Sequence, residues 1–166
     1  MINYVSYMQE AIELIKSKHW LYTEMDKNLF NELNVFCIGG IRLSGKTTAM
    51  KKMFDPNKDI YISTRATLSK EFLKNTYTSE FFKTVFEWDD NALKIINERN
   101  AVLSMNMASL HHKLKHALKE DSIIFLDVFS VEVPDNHKHV KTITDILYTL
   151  SLYDDVDISK NILIYT

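Results

Sequence analysis

Gly39, Gly40 and Gly45 are the only glycines in the chain, and all three fall within seven residues. Glycine lets a backbone turn tightly and approach a ligand closely, so this concentration directs attention to one loop. Around it the chain reads Val35-Phe36-Cys37-Ile38-Gly39-Gly40-Ile41-Arg42-Leu43-Ser44-Gly45-Lys46-Thr47-Thr48. An apolar strand is followed by G-x-x-x-x-G-K-T and then by the helix-forming stretch Ala49-Met50-Lys51-Lys52-Met53-Phe54. Four residues between Gly40 and Gly45 wrap a loop whose amides turn inward on anionic oxygens. The helix behind it adds unpaired amides and a positive dipole end. Gly40, Ile41, Arg42, Leu43, Ser44, Gly45, Lys46, Thr47 and Thr48 therefore form a predicted phosphate cradle. In it Lys46 would reach the β- and γ-phosphates of a nucleotide, and the Thr47 hydroxyl would ligate Mg²⁺.

A second chemical element lies downstream. Ser122-Ile123-Ile124-Phe125-Leu126-Asp127 is the most apolar strand candidate in the chain. It delivers one carboxylate to its carboxyl end, where ligand sites of α/β sheets sit. Taken alone, Asp127 could equally cap the next loop. Beside a phosphate loop it becomes a predicted Mg²⁺ ligand, acting through water.

The two segments have the Walker A and Walker B patterns, and over most of residues 34–166 the chain resembles P-loop NTPases of the helicase and phage DNA-packaging (terminase motor) type. The resemblance implies a three-layer α/β P-loop NTPase fold, with a mainly parallel sheet flanked by helices. It implies ATP or ADP with Mg²⁺ as the bound pair and ATP hydrolysis as the activity, with Lys46 and Asp127 in catalytic roles. It also implies a strand between the Walker A strand and the Asp127 strand. Ser63-Thr64-Arg65-Ala66-Thr67-Leu68 is similar to a helicase segment that contacts the nucleic-acid backbone, which makes Arg65 a candidate contact. Thr166, ending Ile164-Tyr165-Thr166, is similar to the threonine that senses the γ-phosphate. Gln9 is similar in type, though not in spacing, to an adenine-reading glutamine. The pattern departs at Val128, where these motors place a water-orienting Glu. Glu132 is the nearby substitute; otherwise another residue serves or hydrolysis is slow.

Positioning these groups requires strands that alternate with helices, hence a parallel sheet covered on both faces. The spacing predicts an amphipathic helix over 2–18 from Val5, Met8, Ile12 and Ile15. Together with a mixed segment over 21–33 it makes an N-terminal helical segment, 1–33, ahead of a nucleotide-binding core, 34–166, in one domain. Strands are predicted at 35–39, 59–63, 122–127 and 161–165. Helices are predicted near 67–75, in pieces over 79–100, over 104–119, and from about Lys141 to Tyr153 after a loop containing Pro134 and His137-Lys138-His139.

Composition limits the possible functions. With 166 residues, 46% apolar and 25% charged, the chain suits one globular domain. No apolar run reaches the roughly 20 residues of a membrane span, and the charged N-terminus does not read as a secretory signal; no membrane partner and a cytoplasmic location are expected. The single Cys37 excludes an internal disulfide and a multi-cysteine zinc site. A net charge of −2 gives no global electrostatic case for nucleic acid. The local case is Arg65 and the basic, histidine-rich face of 107–119, whose other side carries Met107, Leu110, Leu114 and Leu118. A plain solvated face is the alternative there. His112 and His116 stand at metal-chelating spacing without an evident third ligand, and Trp20 and Trp88 read as core anchors.

Seventeen of the 20 basic residues are lysines, leaving only Arg42, Arg65 and Arg99. A nucleotide or nucleoside kinase is the first alternative, but its lid would want several arginines for phosphate transfer. A nucleotide-gated binding module with little hydrolysis is the second, motivated by Val128. A GTPase would want a glycine after Asp127-Val128-Phe129, where Ser130 stands. So few arginines also suggest that another protein chain or a homo-oligomer completes the site, with Arg99 as the candidate offered to a neighbour and Arg42 the candidate within the chain.

Overall fold

The computed structural model describes residues 3–18, 27–39, 45–74, 86–128 and 133–166. Five strands lie among them: β1 (Val35–Cys37), β2 (Ile60–Ser63), β3 (Val102–Ser104), β4 (Ile123–Asp127) and β5 (Ile162–Tyr165). The helices are α1 (Tyr4–Lys18), α2 (Lys27–Leu33), α3 (Lys46–Met53), α4 (Ala66–Leu73), α5 (Asp90–Arg99), α6 (Leu110–Ala117) and α7 (Val133–Tyr153). The strands form a single sheet in the order β1-β5-β4-β2-β3, and every pairing is parallel.

Strand periodicity sorts the apolar residues onto two faces. Tyr61, Ile123, Phe125, Ile162 and Ile164 face one way and pack with Met8, Ile12 and Ile15 of α1, Ala49 and Met50 of α3, Phe72 of α4, and Ala92 and Ile96 of α5. Ile60, Ile62, Leu103, Ile124, Leu126 and Leu163 face the other way, against Phe30 of α2, Leu110 and Leu114 of α6, and Ile143 and Leu147 of α7. The sheet is thus covered by helices on both faces, and the two N-terminal helices take one face each.

The connections obey one hand. The moves from β1 to β2 and from β2 to β3 pass through α3, α4 and α5 on the first face. The return moves, β3 to β4 and β4 to β5, pass through α6 and α7 on the second. Reversing direction and face together preserves the crossover hand, as a twisted parallel sheet demands. It also makes adjacent strands β4 and β2 send their helices to opposite faces, which opens a crevice at their carboxyl ends.

Local chemistry sets the boundaries. Asp89 caps α5 by accepting the Ala92 amide at 2.7 Å, and Asn100 closes it in the left-handed conformation at φ 51°. Two expectations need correction. Residues 104–119 are not one helix: Ser104 ends β3, Ser109 takes φ 60°, and only Leu110–Ala117 is helical. Pro134 and His137-Lys138-His139 lie not in a loop but in α7, which starts at Val133. Proline fits a first helical turn, whose amide has no intrahelical acceptor to lose. Among the described residues, no helix is long and apolar enough to cross a membrane.

Candidate functional site

The site is assembled at the carboxyl ends of the strands, where α3 begins. Gly45 precedes α3 at φ 89°, a conformation that disfavours any side chain. Gly39, by contrast, has open space around it and no positive φ. The first bond of α3 runs from the Ala49 amide to the Gly45 carbonyl at 2.9 Å, and no side chain caps the helix. The amides ahead of that bond lie where the helix supplies no acceptor. Lys46 and Thr47 open this turn, both partly buried.

Asp127 ends β4 on the same face as Ile123 and Phe125, the face that α3 covers. Its carboxylate gathers three hydroxyls. Thr47 Oγ1 donates to Oδ2 at 2.8 Å, and Tyr61 Oη donates to the same oxygen at 2.8 Å. Thr166 Oγ1 donates to Oδ1 at 3.3 Å while accepting the Val128 amide at 3.2 Å. Thr166 is held there because its own amide bonds the Leu126 carbonyl at 3.2 Å across the β4–β5 ladder. Burial, then the Asp127 charge, then the bond itself hold the Tyr61 phenol well above its ordinary pKa.

This donor set fits a hard divalent cation. A hydroxyl has one proton and two lone pairs. Thr47 commits its proton to Asp127, so its lone pairs are the part left for a cation. Among the described residues, no group of three or more His, Cys, Asp or Glu side chains could hold a metal. A cation here would therefore draw on Thr47, Asp127 and oxygens of a ligand or water, the environment that suits Mg²⁺.

Of the residues singled out from sequence, Thr47, Asp127 and Thr166 meet directly, and Gly45, Lys46 and Thr48 lie at the same helix start. Gly40, Ile41, Arg42, Leu43, Ser44 and Glu132 lie outside the described residues, as does Trp20. Arg65 is exposed at the start of α4, at the same sheet end. Gln9 is exposed on α1. Val128 alternates away from Asp127 and is buried in the second core.

Arg99 is not available to a neighbour's site. Its guanidinium bonds the carbonyls of Pro56, Asp59 and Ala117 at the amino end of the sheet, opposite the Thr47–Asp127 pair. Helix α6 covers the face opposite α3, Lys115 is paired with Asp154, and the His112 and His116 ring nitrogens bond each other at 3.0 Å. Trp88 is a core anchor, its Nε1 donating to the Phe72 carbonyl at 2.9 Å.

Sequence reasoning missed Tyr61. The available signal was its place one residue from the fully apolar Ile60 and Ile62, a polar tip in an otherwise buried strand. No protein-family model, curated protein or solved structure matches this chain.

Proposed function

We infer that this chain binds ATP or ADP with Mg²⁺ at the start of α3, as a P-loop ATPase of the helicase and phage DNA-packaging type that acts on nucleic acid. One observation carries the reading. Thr47 and Asp127, 80 positions apart and drawn from two separate sequence patterns, meet in a 2.8 Å hydrogen bond. Strand order supports it, since β5 lies between β1 and β4 as the resemblance implies.

In this reading residues 40–48 hold the phosphates, Lys46 neutralises their charge, and Thr47 and Asp127 hold the cation. Mg²⁺ held by Thr47 and Asp127 would supply positive charge to offset that developing at the transferred group. Thr166 orients Asp127 through Oδ1, and Glu132 is the candidate for orienting water. Exposed Arg65 at the same sheet end supports contact with a nucleic-acid backbone. Because Arg99 is committed elsewhere, a catalytic arginine would be Arg42 or one from another chain, including a second copy. A second reading, nucleotide-gated binding with little hydrolysis, is favoured by Val128, whose side chain is packed in the core where a carboxylate would be needed.

Calorimetric titration with ATP and ADP, with and without Mg²⁺, tests the reading. Lys46→Ala should weaken nucleotide binding about 10- to 100-fold, the value of a hydrogen bond to a charged group. Equal binding by wild type and Lys46→Ala would remove the site. ATP turnover measured alone, with DNA, and with nucleoside monophosphates then separates motor, kinase and switch.

A further inference from the structure

Tyr61 belongs to neither sequence pattern, yet its phenol ends on the same carboxylate oxygen as the Thr47 hydroxyl. Both donate to Asp127 Oδ2 at 2.8 Å, and Thr166 donates to Oδ1 at 3.3 Å. A carboxylate oxygen offers two lone-pair directions, so Oδ2 is fully used. The phenol is also firmly held. Tyr61 is fully buried, is registered opposite Phe125 in the β2–β4 ladder, and lies flat on Phe72 with ring centroids 3.7 Å apart and 14° between planes. Phe72 in turn carries the Lys51 ammonium 5.6 Å from its ring centre and accepts the Trp88 indole N–H on its own carbonyl.

We propose that Tyr61 is a positioning residue that sets the cation preference of the Thr47–Asp127 pair. By filling the second lone pair of Oδ2 it keeps that oxygen from binding a cation directly and denies the carboxylate a bidentate mode, which favours Mg²⁺ over Ca²⁺. The inference rests on the reading of this site as a Mg²⁺–nucleotide site. Mg²⁺ dehydrates reluctantly and accepts a carboxylate that reaches it through water, whereas Ca²⁺ takes direct and often bidentate carboxylates in a looser shell. A carboxylate fixed by three hydroxyls cannot turn both oxygens toward one ion. Removing the phenol returns a lone pair to Oδ2 and frees Asp127 to rotate toward Ca²⁺.

The experiment compares ATP affinity with no metal, with Mg²⁺ and with Ca²⁺, in wild type, Tyr61→Phe and Phe72→Leu. Tyr61→Phe keeps the ring and its stacking and removes only the donor. Its metal-free ATP affinity should match wild type. The enhancement by Mg²⁺ should fall about tenfold, the value of one hydrogen bond to a charged group, while the enhancement by Ca²⁺ holds or rises. Phe72→Leu keeps the phenol but removes the ring that holds it, and should shift the same ratio less. Far-ultraviolet circular dichroism establishes that each variant is folded. An unchanged Mg²⁺/Ca²⁺ ratio in both variants, beside a wild type that binds Mg²⁺–ATP, overturns the role of Tyr61 and leaves the nucleotide site standing. A wild type that shows no metal-dependent ATP binding overturns both.

Discussion

The two ends of the sheet each hold an aspartate at a β2–β4 junction, and they use it differently. At the amino end, Asp59 is buried and accepts the backbone amides of Asp55 and Ile123 at 2.8 and 3.0 Å. Around it, Arg99 holds three carbonyls and the buried amide groups of Asn34 and Asn161 hold several more. At the carboxyl end, Asp127 is half-buried and accepts the side-chain hydroxyls of Thr47, Tyr61 and Thr166, which can rotate toward a ligand. A carboxylate bonded to amides is part of the chain's folding, while one bonded to hydroxyls can exchange partners. Burial pushes the Asp59 carboxyl up to about 6 even against its two amide bonds, so its place is maintained at a cost in charge desolvation.

The contrast is broken most severely by removing each carboxyl. Asp59→Ala leaves two buried amides without acceptors and should lower unfolding free energy by about 4 kcal/mol, at 1–3 kcal/mol per orphaned group. Asp127→Asn should cost less than about 1 kcal/mol, because its hydroxyl partners can turn to water, yet should abolish the enhancement of ATP binding by Mg²⁺. Urea denaturation and calorimetry on both variants measure the two effects. Similar stability losses would mean that both ends are structural.

Lys51 sharpens the comparison from the first face. It sits one turn beyond Thr47 on α3, is almost fully buried, and donates to the Glu71 carbonyl at 3.1 Å. Burial lowers its pKa to about 8 from the ordinary 10.5, against the opposing pull of Glu71. Between those values the unfolded chain binds a proton that the folded chain lacks, so stability should rise as pH rises from about 8 toward 10.5. The expected gain is on the order of 2 kcal/mol, somewhat below the full value of the shift. Lys51→Met should lose that slope in denaturation midpoints measured across the window. A wild type with no slope would mean that the ammonium stays charged in its buried place.

How far the sequence foretold this arrangement depended on what each residue had to signal. Strands β4 and β5 were legible because nearly every residue in them is apolar, as strands covered on both faces require. The Thr47–Asp127 meeting was legible because both ends of that bond lie in spacing patterns tied to phosphate and metal chemistry. Strand β3 was not, being three residues long and ending in the polar Ser104. Pro134 misled because its preference for loops and its tolerance in a first helical turn look alike in sequence. Tyr61 was invisible as a site residue for another reason. A tyrosine in a strand reads as core, and only the pairing of Tyr61 with Phe125 brings its hydroxyl to the carboxylate two residues further along β4.

The central claim is that the carboxyl end of the sheet is the Mg²⁺–nucleotide site and that the hydrogen bonds of the amino end serve the fold. Amide hydrogen exchange with and without Mg²⁺–ATP tests it in one measurement on the wild-type chain. Slowed exchange is expected in peptides covering 45–48 and 127–128, with none at 55–59 or 119–123. Protection at the amino end, or no change at either end at saturating Mg²⁺–ATP, would contradict the account.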